Sequence, residues 1–162
     1  MRLPVFDFHC DTALGLLRRK DDSSVSLRRN EGHIDLERAG SLPGYCQCFA
    51  CFTTPGMEKW YKKSPVVVFE RELATVMRET EKNADLISLC YTPEAIEANL
   101  SCGKMSAILT IEGPAGFDYD PELLELTTSL KTDEHHVAHD GEHTSDCYNY
   151  AYTVNAKYRA IF

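Results

Sequence analysis

The sequence predicts an α/β protein built on a parallel sheet. Three features lead there: short runs that are almost continuously apolar, longer segments with apolar residues at helical spacing, and the alternation of the two. Strands buried on both faces have no polar side to show, so they read as unbroken apolar runs. The 162 residues suffice for one domain with a substantial core and are too few for two comfortable ones.

Residues 3–9, Leu-Pro-Val-Phe-Asp-Phe-His, form the first expected strand, followed by a helix over about residues 12–20. Polar residues 21–33 make a loop, residues 34–40 a brief helical turn, and Leu42-Pro43-Gly44 breaks it. Residues 45–52, rich in cysteine and aromatics, are the second strand. A long helix is expected over residues 65–83, where Val68, Leu73, Val76 and Met77 fall at roughly helical spacing. Pro65 behind Ser64 suits the first helical position after a cap.

Residues 84–90 are another short apolar run, and Thr92-Pro93-Glu94 opens a helix to about Ser101, with Gly103 past its end. Residues 105–112, Met-Ser-Ala-Ile-Leu-Thr-Ile-Glu, are the clearest strand, stopped by Gly113-Pro114. Residues 121–126 start one more helix. Beyond them the character changes. Residues 127–147 are polar and hold four of the six histidines: His135, His136, His139 and His143. Tyr148, Tyr150, Tyr152 and Val154 then alternate as in a strand. The chain thus divides into an α/β part, residues 1–126, and a divergent His- and Tyr-rich tail, residues 127–162.

A net charge of −8 speaks against nucleic acid, which demands clustered Lys and Arg. Arg18, Arg19 and Lys20 stand beside Asp21 and Asp22, the pattern of a solvated helix end. No stretch approaches the roughly 20 apolar residues that span a bilayer. The apolar run behind Met1-Arg2 is short and contains Asp7 and His9, unlike an export signal. A cytoplasmic location without a membrane partner is the expectation. Seven cysteines, an odd number, fit reduced thiols better than a disulfide framework.

The chemistry begins at His9 and Asp11. Two apart on a strand, they share a face, at the carboxyl end where parallel sheets bind ligands. Imidazole nitrogen with carboxylate oxygen suits Zn²⁺ and similar ions. Glu112 closes the last strand at the same end; burying its carboxylate is costly unless it is paired or metal-bound. It either bridges two metal ions, about 3.5–4 Å apart in such sites, or caps a helix or loop. Asp7 is expected on the His9 side, orienting the imidazole or bonding to backbone. Cys46 and Cys48 share one strand face and Cys51 the other, where free thiols pack as small hydrophobes. Trp60 and Tyr61 either cover a substrate pocket or pack a loop. His135, His139 and His143 are spaced four apart, but Gly141 interrupts a helix and no His-Glu-x-x-His pattern occurs.

Val5-Phe-Asp-Phe-His-Cys-Asp-Thr12 resembles the opening of the membrane-dipeptidase family of zinc metallopeptidases. So do His33-Ile-Asp-Leu-Glu-Arg38 with the strand Gln47-Cys-Phe-Ala-Cys-Phe52, and Ala107-Ile-Leu-Thr-Ile-Glu-Gly113 resembles that family's bridging-glutamate segment. Order and spacing agree over roughly residues 1–125. The resemblance implies a (β/α)₈ barrel of the metal-dependent hydrolase type, of which about three to four strand–helix units are present. His9 and Asp11 would bind one Zn²⁺ and Glu112 would bridge to a second, with Asp7 and Thr12 as supporting neighbours. Metal-bound hydroxide would attack the peptide bond of a dipeptide, making Glu112 both ligand and catalytic residue.

The family's later histidines, arginine and aspartate have no counterpart in residues 127–162, so a truncated or frameshifted copy is expected, binding one metal or none. Open sheet edges would favour self-association. The alternatives are an inactive metallodipeptidase fragment, or a Cys/His metal-binding module built from the Cys46–Cys51 cluster and the tail.

Overall fold

The computed structural model describes residues 3–19 and 25–120. At its centre are two strands of eight residues, β2 (Tyr45–Phe52) and β4 (Met105–Glu112). They run parallel, in register from Cys46 opposite Ser106 to Phe52 opposite Glu112. Both are buried along almost their whole length, as their unbroken apolar pattern demands. On one side β1 (Val5–Asp7) pairs with β2; on the other β3 (Ile87–Leu89) pairs with β4, giving a four-stranded parallel sheet in the order β1-β2-β4-β3.

The helices are α1 (Thr12–Arg18), α2 (Leu36–Ala39), α3 (Glu58–Tyr61), α4 (Pro65–Lys82) and α5 (Pro93–Ser101). Phe69, Leu73 and Val76 of α4 join Phe49 and Cys51 of β2 and Ala107, Leu109 and Ile111 of β4 in the main core cluster. These strand positions are two apart, so they belong to one sheet face, and the helix stripe covers it. Ser64 Oγ accepts from Val67 N–H at 3.4 Å and Thr92 Oγ1 from Ala95 N–H at 3.3 Å, with Pro at the first helical position behind each cap. Ser64→Ala is expected to lower stability by about 0.5–1 kcal/mol in a urea melt.

Three features differ from the sequence expectation. The first strand is shorter than residues 3–9, yet its ladder resumes beyond Asp7: Cys10 N–H donates to Cys48 O and Cys10 O accepts from Ala50 N–H, both at 3.1 Å. Cys10 therefore sits opposite Phe49, whereas Asp7 sits opposite Gln47. One strand advances three residues while the other advances two, which is a β-bulge at Phe8-His9. Second, β3 flanks only the amino-terminal part of β4, leaving residues 108–112 without a strand partner on that side among the described residues. Third, α3 and a 3₁₀ turn, Pro114–Phe117, had no clear periodic signal, both being four residues long.

The loop before α2 is tied to α4 and its end by polar contacts that run from the core to the surface. Leu27 N–H donates to Glu79 Oε2 at 2.9 Å, and Arg28 bonds Asn83 and Asp85 at 2.9 and 2.6 Å. Among the described residues no helix is long and apolar enough to cross a membrane. The helix expected from residue 121 and the His- and Tyr-rich tail lie outside the described residues.

Candidate metal centre

His9 and Asp11 flank Cys10, whose two backbone bonds hold it in the ladder, so both project to the same side of the sheet. The bulge is what re-aims them: without the extra residue, the period of two would place His9 with Asp7. Asp11 occupies the N-cap of α1, a position where Asp ordinarily caps, but its side chain makes no cap hydrogen bond. Its carboxylate turns instead toward His9, with Oδ1 3.4 Å from His9 Nε2. Glu112 arrives from the end of β4, its Oε2 3.7 Å from the same nitrogen.

One donor atom from each of His9, Asp11 and Glu112 lies within 4.8 Å of the others. Two ligands held by one zinc at 2.0–2.1 Å in tetrahedral geometry sit about 3.3 Å apart. The observed spacings are near that, and long for hydrogen bonds. Glu112 Oε2 is buried with no hydrogen-bond partner. Burial pushes the Glu112 carboxyl above its ordinary range; His9 opposes the shift and Asp11 adds to it. A cation among these three would supply the charge that the buried oxygen lacks, so the donor set fits a divalent metal.

The strand ends that carry the site are laced together. Thr53 N–H donates to Glu112 O at 2.8 Å, and Thr53 Oγ1 donates to Gly113 O at 3.2 Å. Of the two roles open to Asp7, the structure shows the bond to backbone. Its Oδ1 accepts from the backbone N–H of His9 at 3.1 Å and its Oδ2 from Tyr45 Oη at 3.4 Å, so it fixes the main chain rather than the ring. Tyr45 in turn bonds Gln47. Thr12 lines the groove that opens over the site, about 700 Å³, together with Arg18, Asn30, His33 and Phe52. Tyr61 carries the Arg18 guanidinium on its ring, while Trp60 points to solvent, 71% exposed.

Cys46, Cys48 and Cys51 are buried free thiols. Burial pushes Cys46 up to about 12 and Cys48 to about 11, so they stay protonated and pack as core. No cysteine joins a metal-competent cluster among the described residues.

Sequence reasoning missed Glu72. It is fully buried on α4, and neither carboxylate oxygen has a hydrogen-bond partner. Burial foremost, then the charges of Asp11 and Glu112, push it up to about 9 against the pull of Arg18. The signal was there: position 72 falls on the stripe of Phe69, Leu73 and Val76, where a charged residue has no ordinary place.

Residues 1–136 match the family model of membrane dipeptidase, peptidase family M19. Dipeptidase AC, a metallopeptidase of family M19, superimposes with a TM-score of 0.61 at 21% identity, covering 78% of this chain and 41% of its own. A metallopeptidase from Rhodobacter sphaeroides, solved with a phosphinate mimic of the dipeptide L-Ala-D-Ala, gives 0.63 at 21%, covering 80% and 44%. This chain spans less than half the length of either structure. No curated protein matches it. The likeness supports a partial (β/α)₈ barrel for the four-stranded parallel sheet and its helices. The chain belongs to the membrane dipeptidase family of metallopeptidases.

Proposed function

We propose that this chain carries the first ligands of a zinc dipeptidase centre. One observation supports this above others: donor atoms from residues 9, 11 and 112 converge, and the Glu112 oxygen among them is buried without a hydrogen-bond partner. In this reading His9, Asp11 and Glu112 would hold the metal. A metal held there would supply Lewis-acid polarisation of a peptide carbonyl and a water acidic near neutral pH. The residues of the chain hold that charge in place: Asp7 pins the main chain of His9, and Thr53 pins that of Glu112. The groove beside them admits a ligand of dipeptide size.

The test is calorimetric titration of the full chain with Zn²⁺, then with the phosphinate mimic of L-Ala-D-Ala that the Rhodobacter relative binds. Dipeptide hydrolysis is followed in parallel. Wild type is expected to take up zinc. His9→Ala or Glu112→Gln should weaken uptake by about a hundredfold or more, since even lost outer-shell partners cost 10–100-fold. Hydrolysis should vanish with it. Zinc uptake without turnover favours a second reading, a one-metal fragment that hydrolyses nothing. What supports that reading is the donor set, one histidine and two carboxylates among the described residues. Zinc that survives His9→Ala would sink both and restore the Cys/His module.

A further inference from the structure

The wall of the groove nearest the end of α1 carries two arginines, and they are compensated differently. Arg19 faces Glu31 across 3.8 Å. Arg18 is held by an uncharged group: its Nε donates to Tyr61 Oη at 2.6 Å, and its guanidinium lies 5.7 Å from the centre of the Tyr61 ring. Both contacts fix the plane of the fork and leave its charge unspent. No ion pair among the described residues involves Arg18. Glu72, the buried carboxyl that feels its charge, makes no ion pair with it.

The metal-competent cluster and Arg18 therefore give one groove an acidic end and an oriented, unpaired cation. Arg18 sits seven residues along the helix from Asp11, about 10 Å at 1.5 Å per residue. Helical side chains lean toward the amino terminus, so the guanidinium reaches back toward the site. A terminal carboxylate lies only one residue beyond the scissile carbonyl, roughly 3.6 Å of chain. An acidic side chain reaches further along the groove that Arg18 and the cluster both line.

We propose that Arg18, oriented by Tyr61, binds the side-chain carboxylate of an acidic dipeptide and makes this site selective for such substrates. The proposal rests on the dipeptidase reading and narrows it to a substrate class. A planar guanidinium already held in place loses little freedom on forming a bidentate carboxylate contact, whereas an amide of the same shape offers one acceptor and no charge.

Ala-Glu and Ala-Gln are isosteric and differ in that charge. They are titrated against the zinc-loaded full chain, with the fluorescence of its single tryptophan, Trp60, as the reporter beside Tyr61. Wild type is expected to bind Ala-Glu about tenfold more tightly, the effect of one charge-assisted contact. Arg18→Met keeps most of the stem and should bring the ratio close to one; Tyr61→Phe, which removes the hydroxyl, should leave it in between. Arg18 is exposed, so the variant is expected to fold, checked by its melting temperature. Equal binding of both dipeptides by wild type, or a preference that survives Arg18→Met, overturns the proposal and leaves the dipeptidase reading standing. A zinc-loaded chain that binds neither dipeptide overturns both.

Discussion

Glu72→Gln is expected to stabilise the metal-free chain by about 3.5 kcal/mol at pH 7. The unfolded carboxyl titrates at its ordinary value of 4.5, and burial pushes the folded one up to about 9. Below 4.5 both states bind the proton and Glu72 adds no pH dependence. As pH rises from 4.5 through about 9, the unfolded chain releases the proton and the folded chain keeps it, so stability falls by about 1.4 kcal/mol per pH unit. Two and a half units of that slope give the figure at pH 7. Glutamine keeps the shape, cannot ionise in either state, and removes the slope.

Urea melts of wild type and variant at pH 5, 7 and 8.5, in chelator, read the difference directly. The gap should widen with pH; parallel curves would sink the assignment of Glu72 as a buried acid. Zinc should shrink the gap, because cations beside Asp11 and Glu112 favour the charged form that burial disfavours.

Much of this arrangement was legible before any coordinates. β2 and β4 are recovered at their sequence-expected bounds because a strand buried on both faces must be apolar throughout, and turn residues mark its ends. Glu112 was visible for the same reason, a carboxylate at the end of an apolar run. The bulge at Phe8-His9 was not. Its cause is pairing with β2, some forty residues on, and no local pattern records which residue will be skipped. His9 and Asp11 were expected to share a face and do, but His9 reaches its side through that extra residue. Asp7 was misplaced for the same reason. Glu72 was overlooked because an amphipathic stripe tolerates one polar residue in a count, though not in a core. Tyr61 could be placed near the site but not on Arg18, since that contact joins residues 43 apart in sequence.

Gly113→Ala is expected to cost about 3 kcal/mol of stability or more and to weaken zinc uptake with it. Gly113 follows Glu112 directly and has φ +87° and ψ 138°, a region that side-chain-bearing residues enter at about 1–3 kcal/mol. The space is also closed: a Cβ there would stand 2.0 Å from the carbonyl oxygen of Thr53. That oxygen belongs to backbone laced to the end of β4 by Thr53 N–H and Thr53 Oγ1, so it cannot swing away as a flexible side chain would. Relief has to come from moving the strand end itself, and Glu112 moves with it. The comparison that isolates this is Glu112→Gln, which removes a ligand from an unaltered backbone. Glu112→Gln should lower zinc affinity and leave the chelated chain as stable as wild type, or more so, since a carboxylate with one buried oxygen that lacks a hydrogen bond is gone. Gly113→Ala should lower both, and the two losses should track each other across a series of Ala, Ser and Val at position 113. A variant at 113 that melts early yet binds zinc as wild type does would show that the strand end and the ligand are not mechanically joined.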